Sequence, residues 1–227
     1  MRAQRTTNPR TIYDNKQSDT KKIKYNKTNK IRLTQNKMYP NFINSIRRYV
    51  ELDENQIQTL YKYMKPLSLK KKDFLLKEGQ VCKSYCFVEK GCLRMYFINQ
   101  KTVEQITQFA IDGWWIADYF SLIDNKPSEY YIQTIEKSEI LMIDRQELND
   151  LLKELPQIER YLRIIMQKAV AASQLRIKYM FEMSKEEFYI HFSTSFPDFI
   201  QRVPQYMIAS YLGLTPEYVS ELRKKKQ

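Results

Sequence analysis

The chain has 227 residues, 43% of them hydrophobic, which suits two modest domains with a buried core. Its net charge of +12 is unevenly held: residues 1–37 contain 11 Lys/Arg against Asp14 and Asp19, a surplus of +9, and the rest of the chain carries only +3. A strongly basic fold is thereby excluded, and the odd set Cys82, Cys86 and Cys92 argues against a secreted disulfide framework.

Residues 1–37 are rich in Asn, Thr and Lys and show no sustained apolar period, which predicts a disordered basic tail. Such a tail could act as an arm that holds phosphate without sequence preference. The preferred expectation is a stretch translated from upstream of a true start at Met38, where organised sequence begins. It lacks a secretory apolar core, and no run of about 18 apolar residues occurs anywhere, so the expected location is the cytoplasm, with no membrane partner.

Residues 38–153 read as a first domain. Over 40–64, Phe42, Ile43, Ile46, Val50, Ile57, Leu60, Tyr61 and Met64 recur at near-helical spacing, with Asp53 as an internal helix start. From Leu67 to Ile143 the pattern changes to short β runs: 74–76, 85–88, 92–98, 103–110, 130–135 and 139–143, separated by Gly-, Asn- and Asp-bearing turns. Strands at this spacing predict a small antiparallel barrel or jelly roll, followed by helices only, an α+β chain. The Cys-x3-Cys-x5-Cys spacing falls among strands, and the one histidine, His191, lies about a hundred residues away. The thiols therefore read as small apolar core groups, His191 as packing, and no metal or other cofactor is expected.

Residues 154–183 predict one long helix. Ile158, Leu162, Ile165, Ala169, Ala172 and Tyr179 recur in alternating steps of four and three, interrupted by Arg176, the spacing of a two-helix seam. Tyr161, Ile164 and Leu175 form a second apolar face, so the helix can lie on its own barrel and still pair in a parallel homodimer.

Residues 184–227 end in RVPQYMIASYLGLTPEYVSELRKKK, Arg202 to Lys226, which reads as a helix-turn-helix. Gly213 sits where the turn needs a positive φ, and Ala209 is small enough for the second helix to cross close over the first. Ile208, Leu212, Leu214, Val219 and Leu222 form the shared seam. Thr215 is an N-cap, and Pro216 follows where its missing N–H would be unpaired anyway. The groups expected to face duplex DNA are Thr215, Glu217, Tyr218, Ser220, Glu221, Arg223 and Lys224, with Lys225 and Lys226 nearby.

This order of parts resembles the Crp/Fnr superfamily of bacterial one-component regulators over Tyr39 to Gln227. FLLKEGQVCKSYCFVEKGCLRMYF is similar to that family's opening strands, with Glu78-Gly79 and Lys90-Gly91 as marker turns, and FPDFIQRVPQYMIASYLGLTPEYVSELRKK to the C-terminal region of Bacteroidetes-type members. The resemblance implies a cyclic-nucleotide-binding-type barrel, a homodimer on double-stranded DNA and RNA polymerase as a further partner. It also implies a ligand site that this chain has altered. Members that bind cyclic AMP use a Gly-Glu pair for the ribose and an Arg-Ser pair for the phosphate; those positions read Ala117-Asp118 and Ser128-Glu129 here. A phosphate in a low-dielectric pocket needs a cation and donors, and Glu129 would add like charge if it pointed inward, so binding of cyclic AMP or cyclic GMP is not expected. The effector is unknown. The candidate pocket is Trp114, Ala117, Asp118, Ser128, Glu129 and Tyr130, with Trp115, Tyr119 and Tyr131 beside it; the alternative is a structural spacer.

The family's usual base-contacting positions fall on Pro216, Glu217 and Glu221, the last commonly Arg. Glu221 in a negative groove suggests a rival reading, a small-molecule-binding module with a vestigial DNA head. An enzyme is disfavoured: there is no Gly-rich phosphate loop, paired-histidine metal motif or nucleophile elbow, and no catalytic residue is expected.

Overall fold

A computed structural model describes residues 39–225. The tail reading, the start at Met38 and the cation Lys226 fall outside the described residues. The expected N-terminal helical region is two helices, α1 Pro40–Arg47 and α2 Glu54–Tyr63. Asp53 separates them as predicted: its carboxylate accepts the Gln56 N–H at 2.9 Å, while its own N–H donates to the Gln56 side chain at 3.0 Å.

Eight strands follow: β1 Lys65–Leu69, β2 Phe74–Leu76, β3 Ser84–Lys90, β4 Cys92–Ile98, β5 Glu104–Ile111, β6 Trp115–Ile116, β7 Tyr131–Thr134 and β8 Ser138–Asp144. They form two antiparallel four-stranded sheets, ordered β1-β8-β3-β6 and β2-β7-β4-β5. Leu69, Leu76, Cys86, Val88, Leu93, Ala110, Ile116, Ile132 and Ile140 fill the space between them, the layered jelly-roll arrangement expected from the strand spacing. The sequence pattern missed β1, β6 and a one-and-a-half-turn helix, α3 Tyr119–Asp124, set between β6 and β7. The turn after β3 depends on Gly91: with φ +124°, an added Cβ would lie 2.7 Å from the Ser138 backbone.

The remaining helices are α4 Arg145–Glu154, α5 Gln157–Glu182, α6 Lys185–Ser195, α7 Pro197–Arg202, α8 Gln205–Leu212 and α9 Pro216–Lys225. Leu155 and Pro156 separate α4 from the 26-residue α5. No helix among the described residues is long and apolar enough to cross a membrane. Cys82, Cys86 and Cys92 are buried and free, and burial pushes the Cys92 thiol up to about 12, so they act as apolar packing. His191 also packs, edge-on to Tyr179 at 4.6 Å.

A second core was not foreseen. Side chains alternate along β4, so that Leu93 points between the sheets while Cys92 and Tyr96 point to the opposite face. That face, with Ile106 and Phe109 of β5, is buried against Phe188, Tyr189, Val203, Met207, Ile208 and Leu212 of α6 to α8. The C-terminal helices thus cover the flank of their own barrel, and the sheet is apolar on both sides.

Candidate nucleic-acid interface and barrel pocket

In the C-terminal head, Ile208 and Val219 are fully buried and Leu212 and Leu222 nearly so, joining α8 to α9. Gly213 closes α8 at φ +70°, which lets the Leu214 N–H reach back to the Ala209 carbonyl at 2.8 Å. The Thr215 hydroxyl accepts the Tyr218 N–H at 3.2 Å, which starts α9. The seven residues expected at DNA therefore all lie on α9 or its cap. Thr215, Glu217, Glu221 and Lys224 are exposed, whereas Tyr218, Ser220 and Arg223 are half-buried. Arg223 is tied inward, its Nε donating to the Tyr189 hydroxyl at 3.1 Å. Among the described side chains Glu221 makes no ion pair.

The head is anchored to the barrel by specific polar contacts around its apolar centre. The Ser210 hydroxyl accepts the Ile106 N–H at 3.0 Å and donates to the Glu104 carbonyl at 2.9 Å, and the Gln105 amide donates to the Ser210 carbonyl, so α8 satisfies the open edge of β5. Arg202 bridges two barrel carboxylates, Asp112 at 2.6 Å and Glu136 at 3.0 Å. Burial alone would raise Asp112, but the Arg202 guanidinium and the Gly91 N–H outweigh it and hold this carboxyl below its ordinary value. Arg176, the interruption in the apolar series of α5, lies 4.4 Å from the Tyr211 ring centre and donates to its carbonyl at 3.1 Å.

The two ends of the expected dimer seam are occupied by the chain itself. Ile158 and Leu162 line one internal cavity together with Phe42, Ile46 and Leu60, and Tyr179 packs against the head. Ala169 and Ala172 are exposed in the middle. Beside them the helix exposes Val170, Ile177, Met180 and, at 89% exposure, Phe181, none of which the periodic series included. Their signal was available: Met166, Val170, Ile177 and Phe181 follow steps of four, seven and four along one stripe.

The residues grouped as a barrel pocket do not form one group. Asp118 and Ser128 meet, the hydroxyl donating to Asp118 Oδ2 at 2.6 Å, and Ala117 is buried next to them in the chain. Tyr130 joins through its backbone, donating to Ser128 Oγ at 3.0 Å. Trp114 is half exposed and Glu129 is exposed, and neither joins the buried pair of Asp118 and Ser128. Tyr131 stacks on Tyr96 at 5.1 Å on the face turned to the head, and the Trp115 indole donates to the Tyr161 hydroxyl at 2.9 Å at the root of α5. Asp118 is 4% exposed and caps α3 by accepting from the Phe120 and Ser121 N–H groups.

Comparison with known proteins agrees with this architecture. Residues 66–154 match the model of the cyclic nucleotide-binding domain. The chain is 26% identical over 188 residues to the anaerobic regulatory protein of Pasteurella multocida, covering 78% of this chain and 67% of that one. It is 27% identical over 183 residues to the regulatory protein HlyX of Actinobacillus pleuropneumoniae, covering 76% and 75%. Among solved structures, the c-di-GMP responsive global regulator CLP of Xanthomonas campestris superposes with a TM-score of 0.65 at 13% identity, over 77% of this chain and 92% of that one. FixK2 of Bradyrhizobium japonicum gives 0.59 at 17% identity, over 71% and 83%. At these identities the structures speak for the fold alone.

Proposed function

We propose that this chain, a member of the Crp/Fnr superfamily with a cyclic nucleotide-binding domain, works as a homodimeric DNA-binding transcription regulator that does not answer to cyclic AMP or cyclic GMP. The observation that carries the reading is the second helix of the head. Its start is capped, its inner face is buried, and Pro216, Glu217, Glu221 and Lys224 are presented to solvent. Glu217 can accept from a cytosine amino group, and Lys224 lies where a cation meets phosphate.

One such head offers little affinity, and two heads on a two-fold axis reach successive major grooves about 34 Å apart. The stripe of half-buried Met166 and exposed Val170, Ile177 and Phe181, flanked by Ala169, is the surface of α5 through which a second copy would pair in parallel, a seam shifted around the helix from Ile158, Leu162 and Tyr179. Such a regulator works in the cytoplasm, with RNA polymerase as its partner at a promoter and no catalytic chemistry of its own. The test is selection of bound fragments from host genomic DNA, followed by gel shift and sedimentation. A near-palindromic site bound by a dimer is the expected result. A monomer indifferent to duplex at low salt overturns the reading.

A further inference from the structure

We propose that an open cleft at the rim of the barrel, beside the start of β3, binds a small organic oxyanion, a carboxylate or a phosphate ester, between Lys83 and Arg145. The inference goes beyond the reading above, and its test uses neither DNA nor a cyclic nucleotide, so the two fail separately.

The cleft measures about 250 Å³, a little below the roughly 300 Å³ at which pockets for drug-sized ligands begin. Its floor is apolar: Leu122 and Cys82 are buried and belong to the core between the sheets. Burial raises the Cys82 thiol above its ordinary value, so it brings no negative charge. The walls are polar, made by Lys83, Asn125, Asp144, Arg145 and Gln146. An apolar floor with a few polar groups around it is the composition of a small-molecule site.

The charges point to an anion. Ser84 pairs with Asp144 in the β3–β8 register, and one step further the Arg145 N–H donates to the Lys83 carbonyl at 3.0 Å. Two cations therefore leave neighbouring segments at one level, where like charges repel unless an anion lies between them. No carboxylate of the lining does so. Asp144 is engaged elsewhere, by Lys65 at 2.7 Å and by the Ser84 hydroxyl. Arg145 is positioned without being neutralised: its Nη1 donates to the Leu122 and Ile123 carbonyls at 2.9 and 2.8 Å. Among the described residues its Nε and Nη2, the Lys83 ammonium and the side-chain amides of Asn125 and Gln146 make no protein hydrogen bond. A guanidinium edge with both N–H groups open matches a planar carboxylate or a phosphate. The amides beside it suit a hydroxyl on the same molecule.

A ligand held there joins the end of α3 to the start of α4. Only Leu155 and Pro156 separate α4 from α5, the helix expected to pair, so the cleft lies one short helix away from the dimer surface.

The experiment is thermal melting of the full chain in inorganic phosphate, glycerol 3-phosphate or malate, each titrated against chloride at matched ionic strength. At about ten times its Kd an organic anion should raise Tm by about 3 to 6 °C, and the rise should saturate. A rise with malate identifies a carboxylate site, and one with glycerol 3-phosphate a phosphate-ester site. Lys83→Gln removes an exposed cation and no contact, so it should melt no lower than wild type in chloride yet lose roughly three- to fivefold in affinity. Arg145→Lys keeps the charge and loses the fork, and its affinity should fall at least as far. If Arg145→Lys melts too low to read, Lys83→Gln alone decides. Both variants keep the +9 of residues 1–37, so a rise that persists in them with unchanged affinity arises outside the cleft and overturns the proposal. The absence of a saturable rise with either organic anion, or a rise with inorganic phosphate only, overturns it as well.

Discussion

Two helices of this molecule begin in chemically similar ways and end with opposite availability. At the start of α3 a buried carboxylate takes the free N–H groups, and a hydroxyl from 10 residues along the chain completes its shell. At the start of α9 the Thr215 hydroxyl takes one N–H, and the surrounding Pro216 and Glu217 remain exposed. Every helix start has orphan donors, so the local chemistry alone marks neither as a site. Burial and charge decide: an anionic cap in the interior saturates the position, and a neutral cap at the surface leaves it open to a partner. The barrel end has become structure, while the head end keeps the exposure that recognition requires.

The contrast between a closed barrel and an open head can be broken first at its glycines. Both Gly91 and Gly213 have positive φ, but only Gly91 is enclosed, with the Ser138 backbone 2.7 Å from where a Cβ would sit. Gly91→Ala should cost about 3 to 5 kcal/mol, strain and overpacking together, seen as a large fall in the urea midpoint. Gly213→Ala meets nothing within 4 Å, so only backbone strain of about 1 kcal/mol is expected. Equal losses at the two positions would mean that the head turn is as tightly enclosed as the barrel turn.

The join between the regions gives an intermediate effect. Arg202→Ala removes the bridge to Asp112 and Glu136, whose side chains are 35% and 37% exposed. The loss should be about 1 to 2 kcal/mol after screening, with faster amide exchange in α7 and α8 as the head loosens. The pH dependence has a fixed sign. Asp112 titrates below its ordinary value in the folded state, so its contribution is complete above the ordinary carboxylate range and is lost as pH falls through the lower folded value. In Arg202→Ala that acid-side loss should shrink.

The head was legible in the sequence because its constraints are local. Gly213, Thr215-Pro216 and the apolar seam all act within a dozen residues, and each admits few residue types. The barrel was legible as a class through its turns, but β6 is only two residues long and α3 was hidden because Asp118 had been read as a ligand position. The docking of the head could not be read locally, since Arg202 reaches across 90 residues to Asp112 and Ser210 across 104 to Ile106. One trace of it was visible. β4 runs Cys-Leu-Arg-Met-Tyr-Phe-Ile with little alternation, the pattern of a strand covered on both faces. The aromatics assigned to a pocket shared the same fault: composition shows that Tyr130 and Tyr131 sit in a strand region, and only the fold shows that they face different ways.

The effects on α9 are read in DNA binding and not in stability, and they separate two kinds of contact. Lys224 is exposed beyond the seam, so Lys224→Ala should weaken binding on every sequence and reduce the slope of log affinity against log salt by about 1. Glu217 is exposed one position after Pro216, at the end of the helix that would enter the groove. Glu217→Ala should leave that slope nearly unchanged, and relief of repulsion could even raise affinity for random duplex, yet it should erase about 1 to 3 kcal/mol of preference at one base pair. Competition between selected and scrambled duplex at two salt concentrations measures both quantities. A Glu217 variant that keeps full preference would move the reading surface off the start of α9, leaving its exposure without a recognition role.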